Sequence, residues 1–157
     1  NGKNGTTVID GNTIKYTPKQ NFNGTDSFNY TISDGHGGTV SKLVTITVNP
    51  VNDAPVAKTV SATTNEDRLV LIDVLAQAND VDGDSLIIFS VTQGQNGQVS
   101  IEDNKIKYTP NVNYFGQDSF TYTISDNQGG IITQTVNLEI NSVNDNPEAT
   151  LTEAQVD

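Results

Sequence analysis

The sequence has no cysteine, methionine or tryptophan, and it has a single histidine. Without cysteine, a disulfide, a zinc–thiolate site and a cysteine nucleophile are excluded. Basic residues are also scarce, because 8 Lys and Arg stand against 19 Asp and Glu, for a formal net charge of −11. Binding to nucleic acid or to anionic lipid needs a basic surface, so neither is expected. The acidic balance favours a protein that binds cations.

Long hydrophobic runs are also absent. The longest apolar stretches are far too short to span a bilayer, so membrane insertion is not expected. The apolar residues that are present are mostly Val and Ile, accompanied by Thr and interrupted by Asn, Asp and Gly. This composition is typical of β-strands joined by turns.

An internal repeat organises the chain. A shift of 92 positions aligns residues 2–57 with residues 94–149 without a gap, and about half of the aligned residues are identical. The natural joint is the repeated word Val-Asn-Asp-x-Pro, because proline interrupts strand pairing. This joint predicts that residues 1–52 are the C-terminal part of a repeat and residues 53–144 a complete repeat. Residues 145–157 then form a linker and the first strand of a following repeat.

Within the complete repeat the apolar residues alternate with period two, and Asn-Gly, Asp-Gly and Gly-Gly pairs separate the segments. Seven short strands in about 90 residues predict an all-β fold, an immunoglobulin-like β-sandwich, with repeats in tandem. We expect most of the aromatic residues on this pattern to lie in the core. The predicted strands are Val56–Ala62, Leu69–Leu75, Leu86–Val91, Gln98–Ile101, Lys105–Thr109, Ser119–Ser125 and Ile131–Ile140. The aromatic residues are Phe22, Phe28, Tyr30, Tyr114, Phe115, Phe120 and Tyr122.

Nothing in the sequence predicts catalysis. The histidine, His36, lies in a Gly-rich turn, and Gln128 occupies the matching position of the second copy. No nucleophile elbow, phosphate-binding Gly-rich loop or His-Glu-x-x-His pattern occurs. We therefore interpret His36 as a solvated turn residue and do not expect an enzyme.

Three carboxylates fall in one tight loop, at Asp80, Asp82 and Asp84. Calcium takes six to eight oxygen ligands and accepts irregular geometry, so this loop is a candidate calcium site. It is not an EF-hand loop, because its glycine comes too early and Val91 stands where the bidentate Glu should be. A plain Asp-Gly turn with solvated acids is the alternative interpretation.

The strand order predicts that further oxygen ligands meet at the two ends of the repeat. The loop after the second strand, the loop after the sixth strand, the preceding linker and the end of the previous repeat should meet at one junction. The candidate ligands there are Asp80, Asp82, Asp84, Asp126, Asn52, Asp53 and Asp26. The opposite end should collect a second set, consisting of Glu66, Asp67, Asp118, Asn144 and Asp145.

Several words in the chain resemble the tandem cadherin-like repeats of very large bacterial surface adhesins of the RTX type. They are Val-Asn-Asp-x-Pro, Asn-Asp-Val-Asp-Gly-Asp, Tyr-Thr-Pro, Asn-x-x-Gly-x-Asp-Ser-Phe-x-Tyr and Ser-Asp-x-x-Gly-Gly. The resemblance covers essentially the whole chain. It implies a Ca²⁺-stiffened β-sandwich array, secreted by type I secretion to the cell surface. Asp80 and Asp82 resemble the Asp-x-Asp loop of animal cadherins, Glu66 matches their early glutamate by position, and Asp118 is a loose substitute for an acid of their Leu-Asp-Arg-Glu word.

Three functions follow from these patterns. The first is an extender and adhesion rod, with neighbouring repeats of the same chain as partners and surface glycans or proteins of a target cell as further candidates. The second is a carbohydrate-binding module, which is implied by a resemblance to some cadherin-like domains of polysaccharide-degrading bacteria. The absence of Trp and the expected burial of Phe and Tyr disfavour it. The third is a spacer that needs no ion.

The partial repeat at residues 1–52 predicts one further property. It contains four of the seven expected strands, and their alternation leaves an apolar face that must be buried. Unpaired strand edges invite another chain. We therefore expect this half either to associate, by accepting the tail at residues 145–157 of another copy, or to be less stable than residues 53–144.

Overall fold

β-Strands account for nearly all of the regular structure in the computed structural model, which describes residues 2–146. The chain divides into two units, Asn1–Asp53 and Ala54–Asp157. The described residues contain one short 3₁₀ turn, Leu75–Gln77, beside the strands. The all-β prediction is confirmed. The predicted strand of a following repeat falls largely on residues 147–157, which lie outside the described residues.

The first unit consists of two antiparallel hairpins. Strands β1 (Gly5–Asp10) and β2 (Thr13–Pro18) form one, and β3 (Gly24–Ser33) and β4 (Thr39–Val48) form the other. The ring of Tyr16 in β2 stacks on that of Phe28 in β3, with centroids 6.3 Å apart. This stacking joins the hairpins.

The second unit is a β-sandwich. One sheet has the strand order β6-β13-β12-β9, and the other has the order β10-β11-β7. A short antiparallel pair, β5 with β8, accompanies them. Pairing is antiparallel except between β6 and β13, which run parallel. The bounds are β5 Val56–Ala57, β6 Val60–Asn65, β7 Val70–Ile72, β8 Ala78–Asn79, β9 Ile87–Val91, β10 Gly97–Glu102, β11 Lys105–Pro110, β12 Gly116–Ser125 and β13 Ile131–Asn141.

Each of the seven predicted strands corresponds to a strand of this sandwich, with one change. The predicted strand Val56–Ala62 is two strands, because β5 pairs with β8 whereas β6 pairs with β13. The chain changes partner at Lys58 and Thr59, between the two strands. Alternation alone does not reveal such a change, since it reports burial and not the identity of the neighbouring strand.

The core of the second unit comes from the alternating positions of both sheets. On β12, Phe120, Tyr122 and Ile124 are buried, as the period-two pattern predicts. Most of the aromatic residues were expected in the core, but Phe115 is 61% exposed, because it lies in the loop before β12, where alternation no longer applies. The buried core residues are Ile72, Val74, Ile88, Val99, Ile106, Tyr108, Phe120, Tyr122, Ile124, Val136, Leu138 and Ile140.

The two units repeat the same pairing register. Gly5 opposes Pro18 and Gly97 opposes Pro110, while Gly24 opposes Val48 and Gly116 opposes Ile140. The offset between equivalent residues is that of the sequence repeat. The two hairpins of the first unit therefore correspond to the hairpins β10–β11 and β12–β13 of the second.

Candidate metal centre

The acidic loop lies between β8 and β9. Asp80 follows the last residue of β8, and the tight turn at Gly83 has a φ of +82°, a conformation that favours glycine. Carboxylate oxygens of Asp80, Asp82 and Asp84 lie within 4.8 Å of one another. The loop thus brings together the three side chains that the sequence analysis selected.

Asp80 has the most distinctive environment of the three. Its side chain is only 8% exposed, and its Oδ1 accepts a hydrogen bond of 2.8 Å from the backbone N–H of Asp82. Its Oδ2 is buried and has no hydrogen-bond partner among the described residues. A buried anionic oxygen without a partner is costly, because it has lost its hydration and gained nothing in return. A bound cation would compensate this oxygen.

The charges around Asp84 also favour a bound cation. Burial and the negative charges of Asp80, Asp82 and Asp126 raise the pKa of Asp84 above its usual value. Asp126 begins the loop between β12 and β13, so the structure brings this second loop to the first, as the strand order led us to expect. Four carboxylates therefore repel one another at one end of the second unit.

Asp126 is itself held by the loop that it begins. It is 2% exposed, and its Oδ1 accepts hydrogen bonds from the backbone N–H groups of Gln128, at 2.7 Å, and Gly130, at 2.9 Å. The Gly130 N–H also lies 3.1 Å from Oδ2. A Cβ on Gly130 would lie 2.1 Å from that oxygen, so glycine is needed for this close approach. The orientation of Asp126 is fixed by its own turn.

Asp118, a predicted ligand at the other end of the repeat, accepts hydrogen bonds within the fold. Its Oδ1 accepts hydrogen bonds from the backbone N–H groups of Gln95, at 3.0 Å, and Ser119, at 2.8 Å. Its Oδ2 accepts from the N–H of Asn96, at 2.9 Å, and from the hydroxyl of Tyr108, at 2.8 Å. Burial alone would raise the pKa of Asp118, but these hydrogen bonds outweigh burial and lower it. Because both oxygens have partners, we leave Asp118 out of the candidate centre.

Asp26 occupies the same arrangement in the first unit. Its carboxylate accepts hydrogen bonds from the backbone N–H groups of Lys3, Asn4 and Ser27 and from the hydroxyl of Tyr16, at 2.8–3.0 Å. Burial opposes ionisation, yet the hydrogen bonds lower the pKa of Asp26 to about 2. Asp26 is therefore also left out. We call these two arrangements the Tyr–Asp clamps.

The remaining candidates lie near the ends of the strands. Glu66 is 5% exposed and accepts a hydrogen bond from the backbone N–H of Val143, so it holds the chain that leaves β13. Asp67 has a φ of +60°, and its Oδ1 accepts from the N–H of Asn113 at 3.0 Å. Asn52, Asn144 and Asp145 are exposed, and Asp53 is half-buried.

A family model described as a bacterial Ig domain matches residues 1–47 and 52–139. The chain belongs to this family. The match covers both units, in agreement with the sandwich of the second unit and with the identical hairpin registers of the first.

Solved structures with similar folds come from several sources. An endo-fucoidan hydrolase of glycoside hydrolase family 107 is 22% identical, with a TM-score of 0.46 over 91% of this chain and 23% of its own. The human desmocollin-1 ectodomain is 13% identical, with a TM-score of 0.43 over 92% and 32% of the two chains. The tandem Ig repeats of Dlar are 16% identical, with a TM-score of 0.37 over 91% and 77%.

The chain spans less than a quarter of the length of the fucoidan hydrolase. No curated protein sequence matches it significantly. Within residues 2–146, no helix has the length and apolar character needed to cross a membrane.

The residues that our sequence analysis missed in this bacterial Ig domain are the tyrosines and glycines of the Tyr–Asp clamps. A Cβ on Gly97 would lie 2.4 Å from Cζ of Tyr108, and a Cβ on Gly94 would lie 2.5 Å from Oδ2 of Asp118. The signal was present, because the Gly-x-Asn-Gly loop, the tyrosine and the aspartate are identical in the two copies of the repeat. Identity in both copies indicated a shared role but not its nature.

Proposed function

We propose that this chain is a calcium-binding, non-catalytic Ig-like repeat from an extracellular bacterial surface protein, in which it acts as an extender module. The observation that most favours the calcium site is the Oδ2 atom of Asp80, which is buried and adjacent to two further carboxylates. This oxygen has no hydrogen-bond partner within residues 2–146. The adhesin context, the RTX type and type I secretion rest on the sequence resemblance and are part of the proposal.

The donor set favours calcium over other common metal ions. Asp80, Asp82 and Asp84 offer only oxygen, the donor that calcium and magnesium prefer. The loop presents its acids from every second residue of one turn. Calcium tolerates such irregular ligand positions better than magnesium, which demands near-octahedral geometry. Burial and the negative charges of Asp80, Asp82 and Asp126 raise the pKa of Asp84, and a divalent cation would relieve the repulsion among these charges.

Binding would stabilise the end of the second unit where the loops containing Asp80 and Asp126 meet. Those loops connect strands of the sandwich, so neutralising their charges lowers the free energy of the folded state. At free calcium of about 100 times its dissociation constant, the gain is roughly 2.7 kcal/mol for one site. Six further residues remain predicted ligands: Asn52, Asp53, Asn144 and Asp145 in the linkers, and Glu66 and Asp67.

Calorimetry and thermal melting test the calcium site. Calcium should raise the melting temperature of the second unit by roughly 10–20 °C relative to chelator-treated protein, and magnesium should raise it less. Asp80→Asn should abolish most of this rise, because the variant has no negative charge at this position and has an amide group in place of the carboxylate. Asp103→Asn removes one charge from an exposed turn and is the matched control, so its rise should match that of the unchanged chain. An equal rise in Asp80→Asn would contradict the proposed site.

The extender role has a separate test. Small-angle X-ray scattering of the whole chain, with calcium and with chelator, reports the distribution of its maximum dimension. A stiffened array predicts a narrower distribution in calcium. Identical profiles in a sample that binds calcium by calorimetry would contradict stiffening and leave calcium binding established.

Carbohydrate binding is a second candidate, and one observation favours it. Phe89 and Phe115 are 67% and 61% exposed, so the argument that this domain buries its aromatic residues does not hold for them. Exposed rings provide the apolar body with which proteins contact ligands. Pull-down on insoluble polysaccharides, with calcium and with chelator, tests this function, and Phe89→Ala should lower retention if it is correct. Retention unchanged in Phe89→Ala and Phe115→Ala would exclude these rings as the contact.

A further inference from the structure

A groove of about 750 Å³ lies on the outer face of the four-stranded sheet of the second unit. Its floor consists of two rows of polar side chains, which the strand register sets side by side. The first row is Ser61, Asn137 and Ser119, and the second is Thr63, Glu139 and Gln117, in each case from β6, β13 and β12. These residues alternate along β12 and β13 with the core residues Phe120, Val136 and Leu138, so they lie on the face turned away from the core.

The loop after β9 adds Gln93 and Gln95 to the lining, and two sets of hydrogen bonds fix this loop. The side-chain amide of Gln93 accepts a hydrogen bond from the N–H of Val99 at 2.8 Å and donates one to its carbonyl at 2.9 Å. The backbone N–H of Gln95 donates to Oδ1 of Asp118 at 3.0 Å. Because the loop is already ordered, a ligand that contacts Gln95 does not have to order its backbone, which lowers the cost of binding.

The groove offers many hydrogen-bonding groups and little charge. Gln95, Gln117 and Asn137 are exposed, and each side-chain amide both donates and accepts. Among the described residues that line the groove, Glu139 is the one exposed acid, and none is Lys or Arg. A hydroxyl group also both donates and accepts, so a ligand rich in hydroxyl groups matches this surface.

The fold does not require these polar groups. The first unit has threonine at the positions of Gln117, Asn137 and Glu139, yet its hairpin has the same register. These threonines are Thr25, Thr45 and Thr47. Strand pairing therefore leaves the three positions free to serve a ligand, and threonine at each of them is compatible with a strand.

We propose that this groove is a binding site for a neutral polysaccharide. The proposal rests on the second candidate function, carbohydrate binding, and adds to it a ligand class and a site that contains no aromatic ring. Glu139 and the amides of Gln95, Gln117 and Asn137 would form hydrogen bonds with the hydroxyl groups of the sugars.

The position of Phe89 favours a polymer over a single sugar. This exposed residue lies on β9 of the same sheet and is the extra residue of a β-bulge opposite Thr123 on β12. Bulges redirect side chains and are frequent beside functional sites. Thr123 lies roughly 20 Å along β12 from Gln117 in the groove. A ligand that contacts both the groove and this ring must be a chain of several sugars.

Two other classes of ligand fit the groove less well. An anionic polysaccharide or a nucleic acid would meet a chain with a net charge of −11 and would find no basic side chain among the described lining residues. A protein partner would need an apolar core in the contact, but the apolar residues of the lining, Ala62 and Leu138, are half-buried and buried.

Affinity electrophoresis of the whole chain in gels that contain a soluble polysaccharide measures this binding. The neutral polymers are a β-glucan, a xylan and a galactomannan, and the anionic polymer is alginate, a polyuronate. At least one neutral polymer should retard the chain, and alginate should not. Each variant is compared with itself in a gel without polymer, because a substitution of Glu139 changes the charge.

The variant that combines Gln117→Thr, Asn137→Thr and Glu139→Thr gives the second unit the residues of the first, and it should weaken binding by about tenfold or more. Gln117→Thr alone should weaken binding by about two- to tenfold. The matched control is Gln98→Thr, which makes the same chemical change on the outer face of the three-stranded sheet, where the first unit also has threonine, at Thr6. The control should bind like the unchanged chain.

The outcomes separate the groove from the carbohydrate-binding function as a whole. Undiminished retardation of the triple variant would overturn the groove, and loss of retardation in Phe89→Ala or Phe115→Ala would then leave carbohydrate binding standing without it. No retardation by any of the three neutral polymers would overturn both. Retardation by alginate equal to that by the neutral polymers would overturn the proposed ligand class.

Discussion

Replacing Asp118 by Asn should destabilise the second unit by about 3 kcal/mol, and by the same amount in calcium and in chelator. The prediction separates two roles for this residue. If Asp118 serves the Tyr–Asp clamp, its loss is a loss of folding stability alone. If Asp118 is a calcium ligand, as its position in the sequence suggested, the variant loses only the extra stability that calcium provides.

The magnitude follows from the four hydrogen bonds that Asp118 accepts. In the variant, the amide oxygen at the Oδ1 position still accepts from Gln95 and Ser119, but without a negative charge. The amide nitrogen at the Oδ2 position faces the N–H of Asn96, which loses its acceptor. At the low end of its range a hydrogen bond to a charged group contributes about 1.5 kcal/mol and a neutral one about half of that, so the two weakened bonds and the lost bond from Asn96 sum to about 3 kcal/mol. The hydroxyl of Tyr108 can rotate and accept a hydrogen bond from the new amide nitrogen, so this contact is exchanged and not lost.

Thermal melting measures this loss. For a unit of about 100 residues, 1 kcal/mol corresponds to roughly 4–8 °C, so the melting temperature should fall by roughly 12–24 °C. The control is Asp103→Asn, which makes the same chemical change in an exposed turn with a φ of +47°, where Asn is well tolerated. Its effect should stay within about 0.5 kcal/mol.

One result would refute the reasoning. If Asp118→Asn melts like the unchanged chain in chelator but no longer responds to calcium, then the carboxylate acts as a ligand. The hydrogen bonds from Gln95, Asn96 and Ser119 would in that case contribute nothing measurable to stability.

Three further predictions follow from the same contacts. The pKa of Asp26 is lowered to about 2, so the stability that its ionised carboxylate contributes is complete above its usual pKa of 3.8 and is lost as the pH falls through about 2. This loss should appear as faster amide exchange at Asn4. Exchange at Asn4 that is flat through this pH range would contradict the prediction. Gly97→Ala should lower the free energy of unfolding, measured in a denaturant melt, by about 1–3 kcal/mol, because its Cβ would lie 2.4 Å from Cζ of Tyr108. The control Ser100→Ala, on the same strand, should lower it little. Equal losses in the two variants would count against the Tyr–Asp clamp. Asp82→Ala should weaken calcium binding, measured by calorimetry, more than Asp84→Ala does. Asp84→Asn should raise the melting temperature in chelator, because it removes a charge that Asp80, Asp82 and Asp126 repel. A lower melting temperature in this variant would contradict the repulsion.

The strands of this domain could be predicted because their signals are local. Alternation on β12 places Phe120, Tyr122 and Ile124 on one face, and all three are buried. The turn between β10 and β11 consists of Asp103 and Asn104, both with positive φ, and these residue types favour such a two-residue hairpin. Each signal depends on neighbours within a few residues, so the sequence alone contains it.

The loop before β12 shows where local signals end. Tyr114 is half-buried and its hydroxyl donates to the carbonyl of Gln117 at 2.7 Å, while the adjacent Phe115 is exposed. The sequence analysis expected most of the aromatic residues on the strand pattern in the core, and both of these were among the seven candidates. In a loop the direction of each side chain depends on the particular turn, so residue type did not distinguish them.

The sequence by itself determined the repeat, the β-sandwich and the set of acidic residues that can hold a cation. Only the tertiary structure decided which acids remain available. Asp118 accepts hydrogen bonds from backbone N–H groups 22 and 23 residues away, whereas the Oδ2 of Asp80 has no hydrogen-bond partner in the part of the chain that the structure describes. The physical reason is that a carboxylate is satisfied by the donors around it, and those donors are brought by the packing of distant segments, which no local pattern specifies.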